Sequence, residues 1–163
     1  MKNNQGFSIV ELIIVIAIIS ILIGVGLGSI SYTQGLRANS TAEKILSVIE
    51  ECKTVAPSKY ETSLIIQIND SGDIEAIVQT QASKEDNIVQ ESVTVGQSDT
   101  IVSFEKNNGG VSLLEEESLT IKFDRTTGAF DTTTDYCEKI YIERGGVTKT
   151  ITLEPKTGKV WVE

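Results

Sequence analysis

From Leu12 to Leu36 the chain carries no charged residue. A helix over that stretch, at ~1.5 Å per residue, is roughly 37 Å long and exceeds the ~30 Å of a bilayer's hydrocarbon core. No other segment of the 163 residues comes near this length of apolar sequence. Its first part, "IIVIAIISILI", is dense in stiff aliphatics, while "GVGLGSIS" sets Gly24, Gly26 and Gly28 at alternate positions. Each glycine weakens a helix by up to ~1 kcal/mol relative to alanine, so the second part is helical only where neighbours hold it. At the mouth of the run stands one carboxylate, Glu11. A charge at the centre of a membrane helix costs roughly 2.5–3.5 kcal/mol on insertion scales, which marks Glu11 as a residue with a role.

Beyond Arg37 the pattern turns amphipathic: Ala42, Ile45, Leu46, Ile49, Cys52 and Ala56 follow the i, i+3, i+4, i+7 rule for one helix face. "STAE" at 40–43 has capping-box spacing, so a second helix could start at Ser40 if the first breaks before it. The helix is expected to stop ahead of Pro57, because the residue before proline avoids αR geometry.

After Tyr60 the period changes to two. "SLIIQIN" turns through "DSGD" into "IEAIVQT", and "SVTV", "TIVSFEK", "SLTIKFD", "KIYIE", "VTKTITLE" and "KVWVE" follow, several of them separated by "NNGG", "RTTG", "RGG" and "KTG". Short strands at this spacing predict an antiparallel sheet or sandwich.

Composition narrows the function. A net charge of −9 without a dense Lys/Arg cluster is a poor match to a phosphate backbone, so nucleic acid is not an expected partner. The absence of histidine removes the commonest general base and metal ligand, and there is no GxSxG elbow, so no enzyme activity, metal or cofactor is expected. "EEE" at 115–117 lacks the ligand spacing of a calcium loop and reads as solvated. Cys52 and Cys137 form no zinc motif. A disulfide between them is left open: with Ile140 and Ile142 inward, strand parity turns Cys137 outward, and a bulge would bring it back.

The N-terminus admits three readings. A cleaved secretory signal would have a shorter apolar core and no glutamate within it. A plain membrane anchor explains the length and leaves Glu11 without a partner. The third reading rests on "MKNNQG|FSIVE", which closely resembles the class III leader of type IV prepilins and type II secretion pseudopilins: a short polar leader ending in glycine, a phenylalanine, a glutamate at the fifth mature position, then a long apolar helix.

That resemblance implies an α+β, pilin-like fold, with a long N-terminal helix packed on a C-terminal antiparallel β domain. Residues 1–6 form the leader, 7–36 the transmembrane and filament-core helix, 37–57 the amphipathic helix and 58–163 the globular domain. It further implies that prepilin peptidase cuts between Gly6 and Phe7 and N-methylates Phe7. Glu11 is then the assembly contact, pairing with the terminal amine of a neighbouring subunit. The expected partners are that peptidase, other pilin or pseudopilin subunits, an inner-membrane assembly platform and the cytoplasmic membrane. The expected location is a single-pass precursor in the cytoplasmic membrane with its globular domain outside the cytoplasm, and later a pilus or pseudopilus. Many major pilins carry a helix proline where this chain has Gly24, Gly26 and Gly28.

The C-terminal half resembles the ending of the GspH/FimT minor pseudopilins, with Phe123, Gly128, Ile151, Leu153, Gly158 and Val160 on its rhythm. This implies a minor structural subunit. The alternatives are a competence-type pilin that binds DNA, for which Lys149, Lys156 and Lys159 are the available cations, and a membrane-anchored β-domain binding module unrelated to pilins.

Overall fold

A computed structural model describes residues 8–163 except 134 and 156, with the backbone alone for 24–32. One helix, α1, runs unbroken over Ile9–Val55 and passes into a short 3-10 turn at Ala56–Ser58 with proline in its first positions. The α-helix ends ahead of Pro57 as expected, but Ala56, the residue before the proline, stays in αR geometry at φ −50°, ψ −43°, and the chain tightens into the 3-10 turn instead of leaving the helical region. The capping spacing at Ser40 goes unused, because the helix does not break there.

Nine strands follow: β1 Glu61–Ile68, β2 Ile74–Gln81, β3 Val89–Gly96, β4 Ile101–Lys106, β5 Val111–Leu113, β6 Leu119–Phe123, β7 Cys137–Arg144, β8 Val147–Glu154 and β9 Lys159–Val162. They form two antiparallel sheets, a four-stranded one in the order β3-β2-β1-β6 and a five-stranded one in the order β5-β4-β7-β8-β9. The α+β arrangement is the expected one. Two details were not legible: β3 starts three residues ahead of "SVTV", and β5 is an additional short edge strand pairing with β4.

The inner faces of both sheets and one face of α1 enclose a single core. Ala42, Ile45, Ile49 and Cys52 of the helix are fully buried against Leu64 and Ile66 of β1, Phe104 of β4, Ile140 and Ile142 of β7 and Ile151 of β8. Each of the isoleucine, leucine and phenylalanine side chains contributes ~1.5–3 kcal/mol when taken fully out of water. Leu46, on the flank of the predicted stripe, is half-buried, and Val48 takes a place in the core instead.

The domain has two ends. The β1–β2 and β3–β4 turns lie with Gln34 and Gly35 of α1 at one of them, together with the β7–β8 turn. There Arg144, only 3% exposed, donates from Nε to Gln34 Oε1 at 2.9 Å, and also to Thr100 and Gln97. It forms an ion pair with Asp99 as well. Gly145, at φ +57°, sits so close to the helix that a Cβ there would lie 2.6 Å from Gln34 Cβ and Cγ. A residue with a side chain is disfavoured on both counts.

N-terminal to this anchor, α1 leaves the domain. From Ile9 to Ile23 its large apolar side chains are 49–78% exposed and point in every direction around the axis. Among the described residues no helix is long and apolar enough to cross a membrane. Side chains 24–32 lie outside them, so the predicted span from Leu12 to Leu36 is described only in part.

Candidate functional site

The start of α1 is set by two side chains. Ser8 is the N-cap, in extended geometry, and its Oγ accepts from the Val10 N–H at 3.2 Å. Glu11 occupies N3 and reaches back, its Oε2 accepting from the Ser8 backbone N–H at 2.9 Å. Together they complete a capping box. Two of the donors that a helix N-terminus leaves without partners are thereby satisfied, and the carboxylate lies at the positive end of the helix dipole. The spacing behind this is "SIVE", the same S-x-x-E that stands out at "STAE".

Glu11 is thus aimed at the backbone just ahead of the helix, one residue from the predicted new terminus. The cleavage positions themselves, Gly6 and Phe7, lie outside the described residues. Chemically the arrangement can hold a positive charge: one oxygen of Glu11 is engaged by an N–H, and the group is solvent-exposed. A carboxylate carries further acceptor sites for an ammonium.

The two cysteines come into the same core without bonding to each other; both are free thiols. Cys137 faces inward because the β4–β7 register shifts between Glu105 and Lys106: Glu105 opposes Lys139 while Lys106 opposes Cys137. The extra residue inverts the parity counted from Ile140 and Ile142. Burial pushes both thiols up to about 12.

The remaining candidates stay apart. Of the carboxylates at 115–117, Glu117 is held by Lys106 Nζ at 2.7 Å, a hydrogen bond and charge that draw its carboxyl below the usual range. Among the described residues no group of three His, Cys, Asp or Glu side chains converges as a metal site. The strand register sets Lys159 opposite Glu154, with Lys149 near the far end of β8, so these two lysines do not share one patch. Lys156 lies outside the described residues.

No curated protein and no solved structure matches the chain. Residues 1–27 match the family described as the prokaryotic N-terminal methylation motif, which covers the leader, the capping box and most of the apolar run. The N-terminus is therefore that of a type IV pilin-like precursor, and the β domain falls outside the match.

Proposed function

We propose that this chain is a structural, non-enzymatic subunit of a type IV pilus or type II secretion pseudopilus, held together in the filament by its N-terminal helix. The observation that carries this reading is the conjunction of the methylation motif with a helix whose large apolar side chains from Ile9 to Ile23 are exposed all round its axis. An all-apolar helix is stable only when surrounded by lipid or by other apolar helices. A precursor in the cytoplasmic membrane supplies the first environment, and a bundle of sister helices the second.

In this reading prepilin peptidase cleaves after Gly6 and methylates Phe7, retaining the apolar helix on the mature chain. The cut creates an amine beside Glu11. In the precursor the carboxylate is stabilised by the Ser8 N–H and the helix dipole. On assembly it pairs with a terminal ammonium of an adjacent subunit, two charges that are costly alone in a low-dielectric bundle neutralising each other. The β-rich domain with its strand–turn–strand ending favours a minor subunit of GspH/FimT type, recruited with other pilins by an inner-membrane platform.

The Glu11→Ala variant tests the pairing. It is expected to be processed normally yet fail to enter filaments, read as loss of the subunit from sheared pili or from crosslinked oligomers. Incorporation at the wild-type level would overturn the role given to Glu11.

A further inference from the structure

Where α1 leaves the domain, it forms one wall of a groove of about 430 Å³ whose other wall is the end of β3. The helix wall is a single stripe, Arg37, Ser40, Thr41 and Lys44, at i, i+3, i+4 and i+7. Gly96 brings β3 close: a Cβ there would lie 3.1 Å from Thr41 Cγ2 and 2.8 Å from Ile74 Cδ1. The helix and β3 approach this closely because that position has no side chain.

Its charge is unusual for so acidic a chain. Arg37 and Lys44 are exposed, and neither makes an ion pair among the described residues. Arg144 also lines the groove, but its charge is matched by Asp99 and its donors are taken by Gln34, Gln97 and Thr100. The one opposing carboxylate in the lining is Asp73, whose Oδ1 accepts from the Ser98 N–H. What is left is a guanidinium and an ammonium roughly 10 Å apart along the helix, at ~1.5 Å rise per residue, with hydroxyls between them. A guanidinium fork matches two oxygens of a phosphate, and a lysine adds a mobile point charge.

The position of the groove decides which phosphate. Arg37 is the first charged residue after Glu11. If the helix from Leu12 to Leu36 is embedded, its ~37 Å fill the ~30 Å hydrocarbon core and carry Arg37 to the level of the headgroups. We propose that this groove binds the phosphodiester headgroup of a membrane lipid and seats the β domain on the bilayer surface before assembly. This rests on the membrane-embedded precursor of the preceding section. At that surface the local phosphate density offsets the net repulsion of an acidic domain, which is screened beyond about 8–10 Å.

The test uses the full-length, ¹⁵N-labelled chain in phosphatidylglycerol nanodiscs, in phosphatidylcholine nanodiscs, and in maltoside micelles with and without inorganic phosphate. Expected are shifts of the Arg37 Nε–H and of the Thr41 and Gly96 amides in both lipid discs relative to maltoside, larger with phosphatidylglycerol. The Thr41 and Gly96 amide shifts are lost in Arg37→Gln/Lys44→Gln, whose amides elsewhere in the β domain keep their positions. A chain embedded in discs with unshifted groove signals, or signals shifted equally in the double variant, overturns the site and leaves the membrane reading standing. Equal shifts from inorganic phosphate in micelles show a free-anion site and overturn the lipid assignment. A chain that does not enter discs at all overturns the embedded precursor and the proposal with it.

Discussion

Arg144 and Gln34 are joined by a 2.9 Å hydrogen bond across 110 positions of sequence, at the point where α1 emerges from the β domain. The bond ties the exit direction of the helix to the β7–β8 turn, and the same guanidinium holds the β3–β4 loop through Gln97, Asp99 and Thr100. Breaking a buried pair by removing one partner costs roughly 3–5 kcal/mol, and the half-exposed side chain of Asp99 lowers that here. Arg144→Met is expected to destabilise the full chain in detergent by about 2 kcal/mol, measured by urea unfolding of Trp161 fluorescence. A change below about 0.5 kcal/mol, the ordinary surface range, would remove Arg144 from this role.

The neighbouring turn gives a paired comparison. Gly145 and Gly146 both have positive φ, but a Cβ at Gly145 meets Gln34 at 2.6 Å while one at Gly146 meets nothing within 4 Å. Alanine costs about 1 kcal/mol for left-handed backbone at either position. Gly145→Ala adds the displacement of the helix and is expected to be the more damaging by at least ~1 kcal/mol in the same unfolding assay. Equal losses would mean that the turn does not press on α1.

Thr62 is fully buried in β1, and its hydroxyl has no hydrogen-bond partner among the described residues. An unmet buried hydroxyl costs about 1–3 kcal/mol, and valine has the same shape without it. Thr62→Val is expected to raise the urea midpoint, a gain of about 1 kcal/mol. A lower midpoint would reveal a partner for that oxygen.

Cys52 and Cys137 make a prediction about alkali. Their thiols ionise near 9 when unfolded and are pushed up to about 12 by burial when folded. A folded-state value above the unfolded one contributes stability that is whole below pH 9 and is lost as pH rises toward 12. The Cys52→Ala/Cys137→Ala variant, less stable at neutral pH from the lost packing, is expected to show a flatter alkaline limb. At pH 7 neither thiol should react with a disulfide reagent until the protein is unfolded. Modification at the rate of a free thiol would show that the core opens there.

The legible parts of this chain are those carried by periodicity. The helix end before Pro57, the buried stripe from Ala42 to Cys52 and the alternation of Ile140 and Ile142 all follow from local spacing and appear where it puts them. Cys137 was ambiguous because a bulge is a property of two strands, and the shift opposite Lys106 is not written in "CEKIYIE" alone. The Arg144 cluster was not legible for a similar reason: its partners come from the helix and a distant loop, and a lone arginine before "GG" signals only a turn. The capping box is written in the sequence as S-x-x-E at Ser8 and Glu11. "SIVE" and "STAE" carry the same spacing, and what separates them is that α1 starts at the first while a continuous helix runs through the second.

The central claim is that the leader is removed ahead of the apolar helix and the new terminus becomes part of the assembly contact. N-terminal mass spectrometry of the protein from its native membrane tests this most directly. A mature chain beginning at N-methylated Phe7 is the predicted result, whereas an intact Met1, or a chain starting near Ser29 with the apolar helix removed, would contradict it.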